Sequence, residues 1–352
     1  MKTPLPPRGD LLSLEGLEER AKTLAGGFTL APTSRGRGHD VLPRLDGNLR
    51  ALSAAYRAFA EDVHRGLTVA PAAEWLLDNF HLVESEARAV RRDLPQRYYR
   101  TLPKLAAREH AGRARAHALA LELIGHGDGR LDGERLTRFV LAFETVAPLT
   151  IGELWALPSM LKLALLDNLR ILCDGVLEGR AERRAADAAL ARLEYRDRPT
   201  AGPRQLASLL ASLPRPLPSA FVAQLRQRMR EYDPRVSPLA AAMEQALAAA
   251  GTTPESAVLA ESQRQAIDEV STANTVGSLR FCSTLDWSSF VERVSVVEEI
   301  LRRDPAGVYP RMDFASRDRY RHALEELADT DRRSDAGQAQ VRVALRSVAS
   351  AR

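Results

Sequence analysis

Cysteine is scarce. Cys173 and Cys282 are the two cysteines among 352 residues, and they lie far apart in unrelated patterns. This excludes a disulfide framework and a cysteine metal site, and makes a reducing cytoplasm the simplest compartment. Aromatic residues make up 5% of the chain, so the core has to be built from Leu, Val and Ala, a palette that favours helices over strands. No stretch free of Asp, Glu, Lys and Arg exceeds the twelve residues from Thr23 to Ser34, whereas a membrane-spanning helix needs about 20. The N-terminus, Met1 to Asp10, lacks the apolar region of a signal peptide. No G-x-G-x-x-G or P-loop pattern offers a phosphate cradle, no G-x-S-x-G offers a nucleophile elbow, and no H-E-x-x-H offers a zinc site. His110 and His117 lie seven apart, as on one helix face, but lack a partner to complete a metal site and read as surface histidines.

What is present is a helical protein. Hydrophobic residues make up 45%, and 50 basic residues face 46 acidic ones. The two signs are interleaved, as on solvated helix faces, without the concentrated basic stripe that nucleic-acid binding needs. Leu49, Leu52, Tyr56, Phe59 and Val63 form one stripe with helical spacing, and Leu76, Phe80, Val83, Ala87 and Val90 form a second. Pro71 opens the second helix and Pro95 ends it. Pro103 is expected to open a helix running to about Gly125, and Asp132 to cap one carrying Leu136, Phe139, Val140, Phe143 and Val146. A central apolar helix is expected over 151–178 and an exposed, Ala- and Arg-rich one over 181–195. Further helices are read at about 219–232, 236–250, 254–272, 283–303 and 316–328, with Ser283 and Asp286 resembling a capping box. No segment alternates with period two long enough for a strand.

The expected fold is therefore all-α, an array of antiparallel amphipathic helices in two lobes without significant β-sheet. The organisation reads as an N-terminal lead-in and Gly/Pro loop (1–43), a first helical lobe (44–195), a Pro-rich connection (196–218), a second lobe (219–330) and a polar tail (331–352). Leu76-Leu77-Asp78-Asn79-Phe80 is echoed by Leu165-Leu166-Asp167-Asn168-Leu169, which fits either a duplicated unit or chance.

Three short motifs invite a chemical reading and are better explained otherwise. The basic glycine run Ser34 to His39 fits a connection rather than a phosphate loop. The stretch from His126 to Glu134 resembles a calcium loop, but has Arg130 and Phe139 where oxygen ligands belong, and reads as a turn followed by a helix cap. Asp329-Thr330-Asp331 has a D-x-D form but sits at a polar helix end without a preceding strand. Two polar-aromatic segments are the candidate binding residues. One holds Trp75, Asp78, Asn79 and His81, followed by Arg97, Tyr98 and Tyr99. The other holds Asp286 and Trp287, followed by Arg311, Asp313, Arg317, Asp318 and Tyr320. Aromatic faces and planar guanidinium groups suit a sugar or a base. The competing reading is that these residues fix helix junctions.

The same segments carry a resemblance. The run Glu74 to Glu84, then Arg92-Asp93-Leu94-Pro95 and Tyr98 to Pro103, together with Leu149-Thr150-Ile151-Gly152-Glu153-Leu154-Trp155-Ala156-Leu157-Pro158 and the stretch from Leu285 to Tyr320, resemble the N-terminal region of cyclic β-1,2-glucan synthases, in the same order, from about Gly27 to about Leu327. The resemblance implies a large bacterial inner-membrane enzyme that polymerises glucose from UDP-glucose and closes the product into rings. In that plan a soluble N-terminal region precedes the membrane helices and the transferase domain. The transferase signature Q-x-x-R-W is absent from this sequence, so no catalytic residue, metal or cofactor carries over. The implied role is a non-catalytic accessory or scaffold region at the cytoplasmic face of the inner membrane, with the transferase domain as partner in cis and glucan or UDP-glucose as further ligands. A stand-alone protein-interaction module, or a carbohydrate- or nucleotide-sugar-binding module, is the alternative.

Overall fold

The computed structural model describes residues 11–31, 41–106, 110–194, 217–230, 241, 244–245, 247–249, 251–328 and 336–350. The expected all-α class is met. The helices are α1 (Leu14–Gly27), α2 (Val41–His64), α3 (Pro71–Asp93), α4 (Gln96–Thr101), α5 (Arg115–His126), α6 (Gly133–Glu144), α7 (Ile151–Glu194), α8 (Ser219–Arg230), α9 (Pro254–Thr284), α10 (Trp287–Val294), α11 (Val296–Leu301), α12 (Phe314–Ala328) and α13 (Ala336–Ser350), with a 3₁₀ turn at Tyr309–Arg311. Among the described residues extended backbone pairs at two isolated bridges, Leu30 with Leu105 and Lys104 with Ala114, and forms no sheet.

The chain divides into two compact units. The first comprises Met1–Ser53, Asp78–Arg170 and Ala273–Arg352. There Ser13 caps α1, its side chain accepting from Gly16 N, and the buried stripe Leu17, Ala21 and Leu24 packs on α6. Arg138 of α6 clamps that contact through Glu18 at 2.5 Å. The turn after α5 uses Asp128 and Gly129 at positive φ, and Asp132 caps α6 by accepting from Arg135 N at 2.9 Å. The turn read from 126–134 is therefore present. Its backbone is held by α9: Ser278 Oγ donates to Gly129 O at 2.7 Å and accepts from Leu131 N at 2.8 Å. A Cβ on Gly127 would crowd Arg130 O at 2.8 Å, so the turn requires glycine there.

The start of α7 accounts for its exposed backbone donors one by one. Thr150 and Glu153 form a capping box: Glu153 N donates to Thr150 Oγ1 at 3.0 Å and Thr150 N to Glu153 Oε2 at 2.9 Å. Ile151 N donates to Gln340 and Gly152 N to Glu325. Glu153 also receives the Arg115 guanidinium at 2.9 and 2.6 Å, and both side chains are buried. Around this terminus Ile151, Val297, Leu301, Tyr309, Leu324 and Ala344 form one apolar cluster.

The second unit comprises Ala54–Leu77 and Ile171–Thr272. Its core joins Ala186, Ala189 and Leu190 of α7 to Phe221, Val222 and Leu225 of α8. Gly179 leaves room for the Arg264 guanidinium, which a Cβ there would displace and which bonds Glu261 at 2.8 and 3.0 Å.

Several sequence expectations are corrected. Residues 151–194 form one helix with Pro158 inside its second turn, where the missing N–H costs one hydrogen bond. The 181–195 segment is not an exposed helix, because Ala186, Ala189 and Leu190 are core. No helix opens at Pro103: Tyr98 and Tyr99 sit in the short α4, Lys104 and Leu105 lie in isolated bridges, and the next helix begins at Arg115. Helix 254–272 continues to Thr284, which places Ser283 in its last turn, donating to Leu279 O. Ser283 and Asp286 therefore form no capping box; Asp286 alone caps α10. The 283–303 helix is broken at Ser295, whose extended backbone ends α10 and caps α11. His117 is not a surface residue but is buried in α5, and His110 lies outside that helix, half-buried and edge-on against Phe28. The runs 34–39 and 329–331, and the Pro-rich connection up to Pro216, lie outside the described residues.

Candidate functional site

Most of the residues singled out from sequence secure helix ends and junctions. Trp75 is half-buried on α3 in the second unit, and the others lie in the first. Asp78 and His81 are exposed on α3, and Arg97 is exposed on α4. Asn79 is buried and accepts from the Arg280 guanidinium of α9. Its echo residue Asn168 donates to Thr275 of the same helix at 2.9 Å, but the echo diverges at the aspartates. Asp78 is exposed, whereas Asp167 is buried and bonded by Arg44 at 2.7 Å and Asn48 at 2.5 Å. Tyr98 donates to Gly152 O at 2.6 Å, and burial pushes its hydroxyl pKa up. Tyr99 carries the Lys104 ammonium 3.7 Å over its ring. Asp286 caps α10, and Trp287 Nε1 donates to Cys282 O at 2.9 Å. Arg311 donates to Gly307 O at 2.6 Å, and Asp313 accepts from Ser316 N at 2.7 Å in the first turn of α12.

Arg317 and Asp318 are brought together, within a buried charge knot. Arg321 and Glu298, both fully buried, pair at 2.8 Å. Glu292 accepts from Arg317 at 2.9 and 3.0 Å and from Arg321 at 3.2 Å, and Asp318 accepts from Arg321 at 3.2 Å. Burial would raise the Glu298 pKa, but donation from Tyr309, Arg302 and Arg321 outweighs it and holds the carboxyl below its ordinary value. Three arginines (302, 317 and 321) thus meet three carboxylates, with Tyr309 donating to Glu298 at 2.6 Å. Beside the knot, Tyr320 packs edge-on against Tyr309 at the mouth of a cavity of about 230 Å³ that also takes in Asp304 and Ser347. Both thiols, Cys173 and Cys282, are buried, and burial pushes each up to about 12, which leaves them unreactive at neutral pH.

A second concave site was not evident from sequence. It is a groove of about 710 Å³ in the second unit, formed where the end of α2 and the loop Gly66–Ala70 meet the C-terminal part of α7, α8 and α9. Asp62 anchors one wall. Arg180 grips both of its oxygens and Ala58 O, and Arg184 adds a bond of 2.6 Å. These guanidinium groups, Arg180 first, hold the Asp62 carboxyl below its ordinary pKa. Asp187 anchors the opposite side, accepting from Gln224 at 2.9 Å and facing Arg228 at 3.4 Å. Arg183 turns to Glu261 at 3.3 Å. No sequence signal pointed here, because the pairing residues lie on different helices and Asp62 is more than a hundred positions from its arginines. The run Arg180 to Arg184 reads as a solvated charge cluster until Asp62 is placed against it.

Together these features define a class: an all-α protein with buried ion pairs at its helix junctions and a polar groove in its second unit. Among the described residues no His, Cys, Asp and Glu cluster is arranged to hold a metal ion, and no helix is long and apolar enough to cross a membrane. No family model matches the chain. Over 283 residues, 80% of its length, the chain is 38% identical to the cyclic β-(1,2)-glucan synthase NdvB of Rhizobium meliloti (strain 1021), and the match covers 10% of that protein. The resemblance read from the ordered motifs is therefore a sequence relationship to a segment of a glucan synthase about ten times the length of the match.

Proposed function

We propose that this chain is an accessory region of a cyclic β-1,2-glucan synthase, corresponding to its N-terminal part and acting at the cytoplasmic face of the inner membrane. It supports glucan synthesis from UDP-glucose by docking the transferase portion and does no chemistry of its own. The observation that carries this reading is the 38% identity over 80% of the chain. The architecture is in keeping with it. The motifs that carry the resemblance build helix junctions, such as the Thr150–Glu153 capping box and the knot around Arg317, rather than a reaction centre.

The exposed apolar face of α9 supplies the docking surface. Leu259, Ile267 and Val270 are 59%, 52% and 55% exposed and lie on one side of the helix. Its occupant in this reading is the remainder of the synthase, nine tenths of which lies outside the aligned segment. The test replaces the aligned segment of the synthase with this chain and measures cyclic glucan made from UDP-glucose in membranes. The chimera is expected to make glucan, and Leu259→Asp with Ile267→Asp is expected to lower the yield on the order of tenfold while the helical content of the chain is kept. If a synthase with the segment deleted makes glucan at the normal rate, the reading fails.

A further inference from the structure

We infer that the groove of the second unit binds a neutral polyhydroxylated chain, an oligosaccharide, through hydrogen bonds. Its volume of about 710 Å³ lies within the usual range for ligand sites, roughly 300–1,000 Å³. Its walls interleave donors and acceptors. Its charges nearly balance: Arg180 and Arg184 share Asp62, Arg183 faces Glu261, Arg228 faces Asp187, and Glu74 adds a further carboxylate to the lining.

That arrangement disfavours a phosphate-bearing ligand, which needs positive charge in excess and would have to compete with the resident carboxylates. A neutral polyol adds hydrogen bonds without disturbing those pairs. Many polar groups of the lining are planar forks: the guanidinium groups of Arg184 and Arg228, the carboxamides of Gln224, Gln227 and Gln265, and the carboxylate of Asp187. Each presents two polar atoms side by side, the spacing that matches neighbouring hydroxyls. Several are fixed at one end by the ion pairs above, so little rotamer freedom is lost on binding. The aromatic residue of the lining, Phe59, is itself buried, so recognition here rests on hydrogen bonding rather than ring stacking.

The choice of β-1,2-linked glucan as the chain rests on the synthase reading above; the class of ligand does not. The test titrates the full chain with β-1,2-linked gluco-oligosaccharides, with cello-oligosaccharides and with sodium pyrophosphate, followed by calorimetry. The β-1,2-linked series is expected to bind, with an affinity little changed by added salt. Gln227→Ala and Arg228→Ala, both on the exposed side of α8, are expected to weaken it on the order of tenfold each while circular dichroism stays unchanged. Absence of binding by either oligosaccharide series at millimolar concentration overturns the inference, as does binding that ignores both substitutions or occurs with pyrophosphate alone. Binding of the cello-oligosaccharides without preference for the β-1,2 series keeps the site and removes glucan as its ligand. The chimeric synthase reports on the accessory reading whatever the groove binds, so the two failures are distinguishable.

Discussion

Glu144 and Lys104 show how single buried groups shape the stability of the first unit. The Glu144 carboxyl accepts from Leu149 N at 2.9 Å, yet burial pushes its pKa up to about 8, against an ordinary value of 4.5, and the opposing backbone donors and Arg115 do not compensate. The folded state therefore holds a proton that the unfolded chain releases near 4.5. The stabilising contribution is complete below pH 4.5, declines as pH rises towards 8 and is gone above it. Lys104 has the opposite sign. Burial lowers its ammonium to about 8 from 10.5, so stability recovers as pH rises from 8 to 10.5. Glu144→Gln is expected to flatten the lower limb, whose slope is about 1.4 kcal/mol per pH unit at most, and to leave the upper limb intact. Urea unfolding as a function of pH checks this. An unchanged slope between pH 5 and pH 8 would show that Glu144 is ionised in the folded protein.

Helices are the scale at which the sequence was most legible. Leu76, Val83, Ala87 and Val90 are all core, as their spacing implied, because a 3.6-residue period leaves little choice of buried face. The stripe Phe290, Val294, Val297 and Leu301 is likewise buried, although Ser295 divides it between two helices. Periodicity is blind to such a break, since the apolar face continues across it. Val63 and Val146 fit their stripes but are exposed, one in the last turn of α2 and the other past the end of α6. The Thr150–Glu153 capping box could have been found from its T-x-x-E spacing. The arginine pairings could not, because Asp62 and Arg180 are neighbours through tertiary packing alone. Gly175 and Gly179 of α7 test that packing. Gly175→Ala meets open space and is expected to stabilise by up to about 1 kcal/mol. Gly179→Ala is expected to forfeit that gain by pushing Arg264 off Glu261. Equal gains at both positions, measured by thermal unfolding, would refute a stabilising role for the Arg264–Glu261 contact.

At the scale of the whole molecule, each compact unit is assembled from segments distant in sequence, so its stability is shared between them. Phe221 of α8 is buried against Ala186, Ala189 and Leu190 of α7. Phe221→Ala is expected to cost about 3–5 kcal/mol, and hydrogen exchange should rise together across 54–77, 171–194 and 251–272, other parts of the same unit. Exchange confined to α8 would contradict that unit.

The two buried thiols turn this into a direct measurement. Cys173 belongs to the second unit and Cys282 to the first, and each is closed to reagents while its surroundings stay folded. Each unit therefore carries its own clock, because a thiol probe added in enough excess to outpace reclosing labels each sulfur at the rate at which its surroundings open. Phe221→Ala should make the Cys173 clock run fast ahead of that of Cys282.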